Sequence, residues 1–183
     1  MKRYGPFLLA ASALGLTALA VIPTLKAPPE SDRLAKAETL IAVLRAACER
    51  HRADTGAYAR EYADHPALFR DLSASRPTPG WKGPYLPAPL HSWDAAIAAR
   101  PFVLAEADRP PFSDGFDLDG DGTIETRGSC NVLRFDYAEA HWSRSLDQRL
   151  DAGIPGDWRT TGRGRFFGEV EGKPGTFDVL LIK

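Results

Sequence analysis

Residues 31–56, SDRLAKAETLIAVLRAACERHRADTG, decide the fold. Leu34, Ala37, Ile41, Leu44 and Cys48 recur at spacings of three and four, which places them along one side of a helix. Arg33, Lys36, Glu38, Arg45, Glu49 and Arg52 fall on the other faces. Pro28 and Pro29 precede the helix, Ser31 is the expected N-cap with Asp32 in the first turn, and Gly56 ends the pattern after His51 and Arg52. A helix with one apolar side cannot bury that side alone. It needs a sheet to lie on, and the residues that follow supply one.

A short helix is expected over residues 66–72, with Leu68, Phe69 and Leu72 as its apolar contacts. Residues 76–89 form a loop rich in Pro and Gly, whose Trp81 and Tyr85 have to pack because the backbone has few regular options. Residues 102–106 and 130–135 read as strands. Asp136 and Glu139 have the spacing of a capping box for a helix running to about Leu150. Residues 166–170 and 177–182 are the last strands, joined by a Glu-Gly-Lys-Pro-Gly turn at 171–175. The order gives an α+β fold: a long N-terminal helix on a small, mostly antiparallel sheet, with a late helix.

Ahead of the helix, Lys2 and Arg3 precede an uncharged run over residues 7–22. Residues 7–25 are close to the roughly 17 to 25 residues that span a bilayer as a helix, and longer than the about 7 to 15 of a usual signal-peptide core. The positive charges on the N-terminal side keep that end in the cytoplasm and send everything after Ala27 across the membrane. Two parts follow: a membrane segment at 1–27 and an exported domain at 28–183.

The exported part, about 155 residues, is the size of one ordinary domain. The formal net charge of -1 draws the chain neither to nucleic acid nor to an anionic membrane surface, so no nucleic-acid partner is expected. Cys48 and Cys130 are the two cysteines, and an even count in an exported domain predicts one disulfide, with two buried thiols as the alternative.

The sharpest local signal is Asp117-Leu118-Asp119-Gly120-Asp121-Gly122-Thr123-Ile124-Glu125. Carboxylates at alternating positions, with glycine directly after the third, match the first half of an EF-hand-type calcium loop. Asp117, Asp119 and Asp121 are the expected ligands, with the Thr123 carbonyl or Glu125 completing the shell and Asp114 able to join from outside. The twelfth position is Gly128 rather than Glu, and no helix is expected on either side, so the motif is not a complete EF-hand. The other reading is a turn held by its own side-chain hydrogen bonds. Three carboxylates in one turn repel without a cation, which favours the metal.

Elsewhere, Cys48 and His51 have the spacing of half a zinc site without a second half, which leaves a surface histidine beside a cysteine. His65, His91 and His141 are scattered, and no nucleophile motif or dinucleotide-type glycine spacing is present. No catalytic constellation emerges, so an enzyme is not expected. A second class of function, a secreted or anchored periplasmic binding module, would use Trp81, Trp93 and Trp158 as a ligand platform.

Several stretches resemble type IV pilin-like proteins, and most closely the major pseudopilins of type II secretion systems. Ala53-Asp54-Thr55-Gly56-Ala57-Tyr58 resembles the Asp-x-Gly-x-Tyr that ends the amphipathic helix in that family. Gly80-Trp81-Lys82-Gly83-Pro84-Tyr85-Leu86 resembles its Trp-x-Gly-Pro-Tyr-Leu stretch. Residues 146–155, with Thr161 and Gly162 shortly after, are similar to a pattern common in other pilin-like subunits. The resemblance implies a pilin-like fold and a single-pass inner-membrane subunit with a periplasmic domain. It also implies homo- or hetero-oligomeric assembly with other pilin-like subunits, and calcium at the 117–125 loop. Processing by a prepilin peptidase would fall between Gly5 and Pro6. Pro6 stands where the family usually has Phe, and Ala10 where it has a glutamate that sets register with a neighbour, as in a minor, tip-like or divergent subunit.

Overall fold

The computed structural model describes residues 28–62, 69–74, 78–90, 93–105, 115–126, 128–168 and 174–183. The segment at 1–27, with Gly5 and Pro6, lies outside the described residues. So do 66–68 of the expected short helix, His65, His91, Asp114 and the centre of the 171–175 turn. Among the described residues no helix is long and apolar enough to cross a membrane.

Helix α1, Glu30–Thr55, carries the expected stripe: Leu34, Ala37, Ile41, Leu44, Ala47 and Cys48 are buried. It begins one residue before Ser31, with Pro29 in the cap position and no side-chain cap, and stops at Gly56 in the left-handed conformation. Two polar residues join the buried face against expectation, Arg33 and His51. Arg33 is accommodated because its Nε donates to the Ile97 carbonyl at 2.9 Å and its Nη1 pairs with Glu139 at 2.9 Å. His51 shares its Nδ1 with the Ala57 carbonyl at 3.1 Å and packs edge-on against Tyr85.

The sheet has four antiparallel strands, β1 (Arg100–Ala105), β2 (Asn131–Ala138), β3 (Gly164–Phe167) and β4 (Gly175–Ile182), in the order β1-β2-β4-β3. Alternation along the strands gives it two unlike faces. Val103, Leu133, Phe135, Phe166, Phe177, Val179 and Leu181 meet α1 in the main core. The opposite face buries a smaller cluster of Phe116, Cys130, Val132 and Leu180, with Leu118 against it. Beside that cluster Asp178 takes both Arg134 donors, Nε at 2.8 Å and Nη2 at 2.7 Å. A two-point pair of this kind satisfies both buried charges at once.

Helix α2, Ala140–Leu150, follows β2 and packs Trp142 edge-on against Phe135 at 5.4 Å. Glu38 pairs with Arg149 at 3.1 Å, a second link between α1 and α2. The expected capping box does not form. β2 runs on to Ala138, which keeps Asp136 in the sheet, where it bonds Arg100 and Thr176. Strand pairing satisfies that backbone before the helix can start, and Glu139 takes the cap position instead. The described part of the expected short helix, 69–72, is not helical: Arg70 bridges Glu61, and Asp71 and Leu72 lie in a turn. Its Leu72 is nevertheless core. β3 begins two residues earlier than expected because Gly164 pairs with Val179.

The expected disulfide is also corrected: Cys48 is a free thiol and is not joined to Cys130. The reason is topological. Cys48 belongs to the cluster under α1 and Cys130 to the cluster on the other face of the sheet. Burial, with Glu49 and Glu61 nearby, pushes the Cys48 thiol up to about 12.

Candidate metal centre and the loop docked on the helix end

The acidic loop is closed at its base by Phe116 and Thr126, whose backbones pair at 2.9 Å. Inside it the carboxylates bind their own backbone. Asp117 accepts from Gly120 N at 2.8 Å and Gly122 N at 3.0 Å, Asp119 from Asp121 N at 3.1 Å, and Asp121 from Thr123 N at 2.6 Å. Glu125 reaches back to the Leu118 amide. These bonds curl the chain so that one carboxylate oxygen from each of Asp117, Asp119, Asp121 and Glu125 lies within 4.8 Å of the others. Asp117 is buried and the other three are exposed.

The loop is anchored as well as curled. Gly162 N donates to the Asp117 carbonyl at 2.7 Å. Gly120 has a φ of 75°, and a Cβ there would sit 2.1 Å from the Pro155 carbonyl. Position 120 therefore has to be glycine, and the acidic turn is held against the segment after α2.

Calcium takes six to eight hard oxygen ligands at roughly 2.3 to 2.6 Å, so oxygens bound to one ion lie up to about 5 Å apart. The four carboxylates satisfy that spacing, and the Thr123 carbonyl is the remaining donor the sequence suggests. The hydrogen bonds within the loop also meet the alternative reading of a self-held turn, and they leave each carboxylate with further lone pairs for an ion.

A second site forms where the 80–86 stretch folds onto the end of α1. Tyr85 Oη donates to Asp54 Oδ2 at 3.0 Å and accepts from Lys82 N at 3.0 Å, while Lys82 Nζ reaches Asp54 Oδ1 at 3.0 Å. The Lys82 ammonium, and after it the Tyr85 hydroxyl, hold the Asp54 carboxyl below its ordinary range. Gly80 has a φ of 83°, and a Cβ there would lie 2.1 Å from the Asp54 carbonyl. Trp81 Nε1 donates to the Asp71 carbonyl at 2.8 Å. The 53–58 and 80–86 stretches, separate in sequence, thus meet in one hydrogen-bonded unit.

The tryptophans do not form a common platform. Trp81 meets Tyr85, Trp93 meets Tyr137 and Trp158 meets Phe166, and no ring contact joins any two of the three. His51, expected at the surface, is 1% exposed. Cys48 is likewise buried, among the apolar residues under α1.

Three buried polar groups carry structure that the sequence did not single out. Asn131 Nδ2 donates to the Ala59 carbonyl at 2.6 Å and the Leu104 carbonyl at 3.1 Å, pinning the chain after α1 to the sheet. Glu61 accepts from Leu72 N at 3.0 Å, Ser73 N at 3.2 Å and the Ser73 hydroxyl, and burial raises its pKa. Asp147, on α2, lines an acidic cavity of about 390 Å³ with Asp151 and Asp157. The spacing of four between Asp147 and Asp151 was a readable signal, since it puts both on one helix face. No family model matches the chain, and neither a curated protein nor a solved structure matches it.

Proposed function

We propose that this protein is a non-enzymatic, membrane-anchored subunit of a pilin-like filament of the type II secretion kind, stabilised by calcium at the 117–125 loop. The observation that carries this reading is the docking of Lys82 and Tyr85 on Asp54 at the end of α1, with Gly80 packed against the Asp54 carbonyl, on an α+β fold whose long helix covers one face of a four-stranded antiparallel sheet. In this reading residues 1–27 hold the subunit in the inner membrane, then pack with the same segment of neighbouring subunits. Asp117, Asp119, Asp121 and Glu125, with the Thr123 carbonyl, would hold the calcium ion. The ion supplies charge neutralisation, and the bound loop gives neighbours a fixed surface.

The test is mass spectrometry of the mature N-terminus. The expected result is a chain beginning at Pro6, cut by a prepilin peptidase after Gly5. A chain beginning at Pro28 would mark a signal peptide and overturn the filament reading, and an uncut Met1 would leave a simple anchor and overturn it equally.

A further inference from the structure

The second half of α1, the end of β4 and the acidic loop enclose a groove of about 750 Å³. Its cationic lining is Arg45, Arg52, Arg163 and Lys183, against the single carboxylate side chain of Glu49. Arg45 Nε donates to the Leu181 carbonyl at 3.2 Å, and an Arg52 donor reaches the Lys183 carbonyl. Arg163 is held through its backbone, its amide on Asp151 at 2.6 Å and its carbonyl accepting from Leu180 N at 2.9 Å. Among the described residues none of these four forms an ion pair with a side-chain carboxylate. The floor is apolar, from Leu118, Leu180, Leu181 and Ile182.

We infer that this groove is a docking site for a carboxylate-bearing, partly apolar segment of another protein chain. Four like charges gathered in a concave site with the one carboxylate side chain of Glu49 among them repel one another in excess, a cost that an incoming anion reduces. Burial first, and then the Arg163 guanidinium, lower the pKa of Arg45, while Glu49 acts in the opposite direction. Guanidinium groups present paired donors that match a carboxylate, and the apolar floor accepts the side chain beside it.

A lipid headgroup is the poorer occupant. Arg45 is fifteen residues beyond the start of α1 at Glu30, which at 1.5 Å per residue is about 22 Å along the helix. If residues 1–27 hold the membrane, that distance exceeds the roughly 8 Å screening length at physiological salt. That the bound chain is a neighbouring filament subunit rests on the function proposed above. So does the argument from distance against a lipid, whereas the fit of the groove to a carboxylate does not.

The test uses the full chain in neutral detergent micelles, followed by backbone amide NMR during titration with a peptide of alternating glutamate and leucine. Inorganic phosphate and phosphatidylserine vesicles are the comparison probes. Saturable shifts at Leu180, Leu181, Ile182 and Lys183 are expected with the peptide alone. Binding is expected to be about tenfold weaker in Arg163→Glu, with a smaller salt dependence. Arg45→Gln, which removes the charge with a shorter polar side chain, should weaken binding in the same direction. Absence of peptide shifts at these residues, or equal affinity in wild type and both variants, would overturn the inference. So would saturable binding of phosphate or vesicles where the peptide does not bind. None of these outcomes depends on processing at Gly5 or on filament formation, so this inference and the functional reading can fail separately.

Discussion

Replacing Asp147 by Asn tests whether the acidic cavity beside α2 holds a carboxylate at a cost. Asp147 is 6% exposed, and its Oδ1 has no hydrogen-bond partner. The neighbouring Asp151 is committed as an acceptor, its Oδ2 taking Arg163 N at 2.6 Å and Gly164 N at 3.1 Å. Burial first, and then the charges of Asp151 and Asp157, push the Asp147 carboxyl from 3.8 up to about 7. The folded protein therefore holds this proton more tightly than the unfolded chain does. Below about pH 4 both states are protonated and the group contributes nothing to pH dependence. As pH rises from about 4 to 7, the unfolded chain releases its proton first, stability falls, and the full penalty is present above 7. Three pH units at 1.36 kcal/mol each set a ceiling of about 4 kcal/mol, which water at the cavity mouth reduces to about 1 to 2 kcal/mol. Asn keeps the shape and removes the charge. Urea unfolding followed by tryptophan fluorescence, in chelator throughout, should show Asp147→Asn more stable than wild type by about 1 to 2 kcal/mol at pH 8. The difference should shrink below about 0.5 kcal/mol at pH 4. An equal difference at both pH values, or a variant less stable than wild type at pH 8, would refute the reasoning.

Asp119→Ala should lower the melting temperature only when calcium is present. At a calcium concentration near 100 times Kd the ion contributes about 2.7 kcal/mol, or roughly 5 to 10 °C for a domain of this size. Identical melting of wild type and variant, with and without chelator, would sink the metal assignment. Gly80→Ala forces a Cβ towards the Asp54 carbonyl at a positive φ and should cost about 2 to 3 kcal/mol, read as a lower urea midpoint at unchanged slope. Asp178→Ala leaves Arg134 as a buried charge without its two-point partner and should cost about 3 to 5 kcal/mol. A loss below about 1 kcal/mol in the same assay would mean that water solvates the arginine.

The parts of the fold legible in the sequence are those carried by neighbouring residues. The α1 stripe follows from spacing alone, because a helix brings residues three and four apart to one side whatever else the chain does. The acidic loop was legible for the same reason: its four carboxylates fall within nine consecutive residues, and Asp and Gly at alternating positions specify their own turn. Strand positions were read from alternation, with ends displaced by up to three residues. Pairing across the sheet, and not local preference, sets where β2 and β3 begin and end, and that pairing took Asp136 away from the expected capping box.

By itself the sequence determined an α+β chain with one long amphipathic helix and an acidic turn able to gather carboxylates. Tertiary structure alone decided which of those pieces touch. The Asp54 to Tyr85 contact joins residues 31 positions apart, and the Arg134 to Asp178 pair residues 44 apart. The two cysteines went to separate clusters because α1 lays Cys48 on one face of the sheet, while Cys130, just ahead of β2, packs with Phe116, Val132 and Leu180 on the other. The same assembly buried Arg33, His51 and Asp147. Burial is a property of what packs over a residue, and local spacing does not record it.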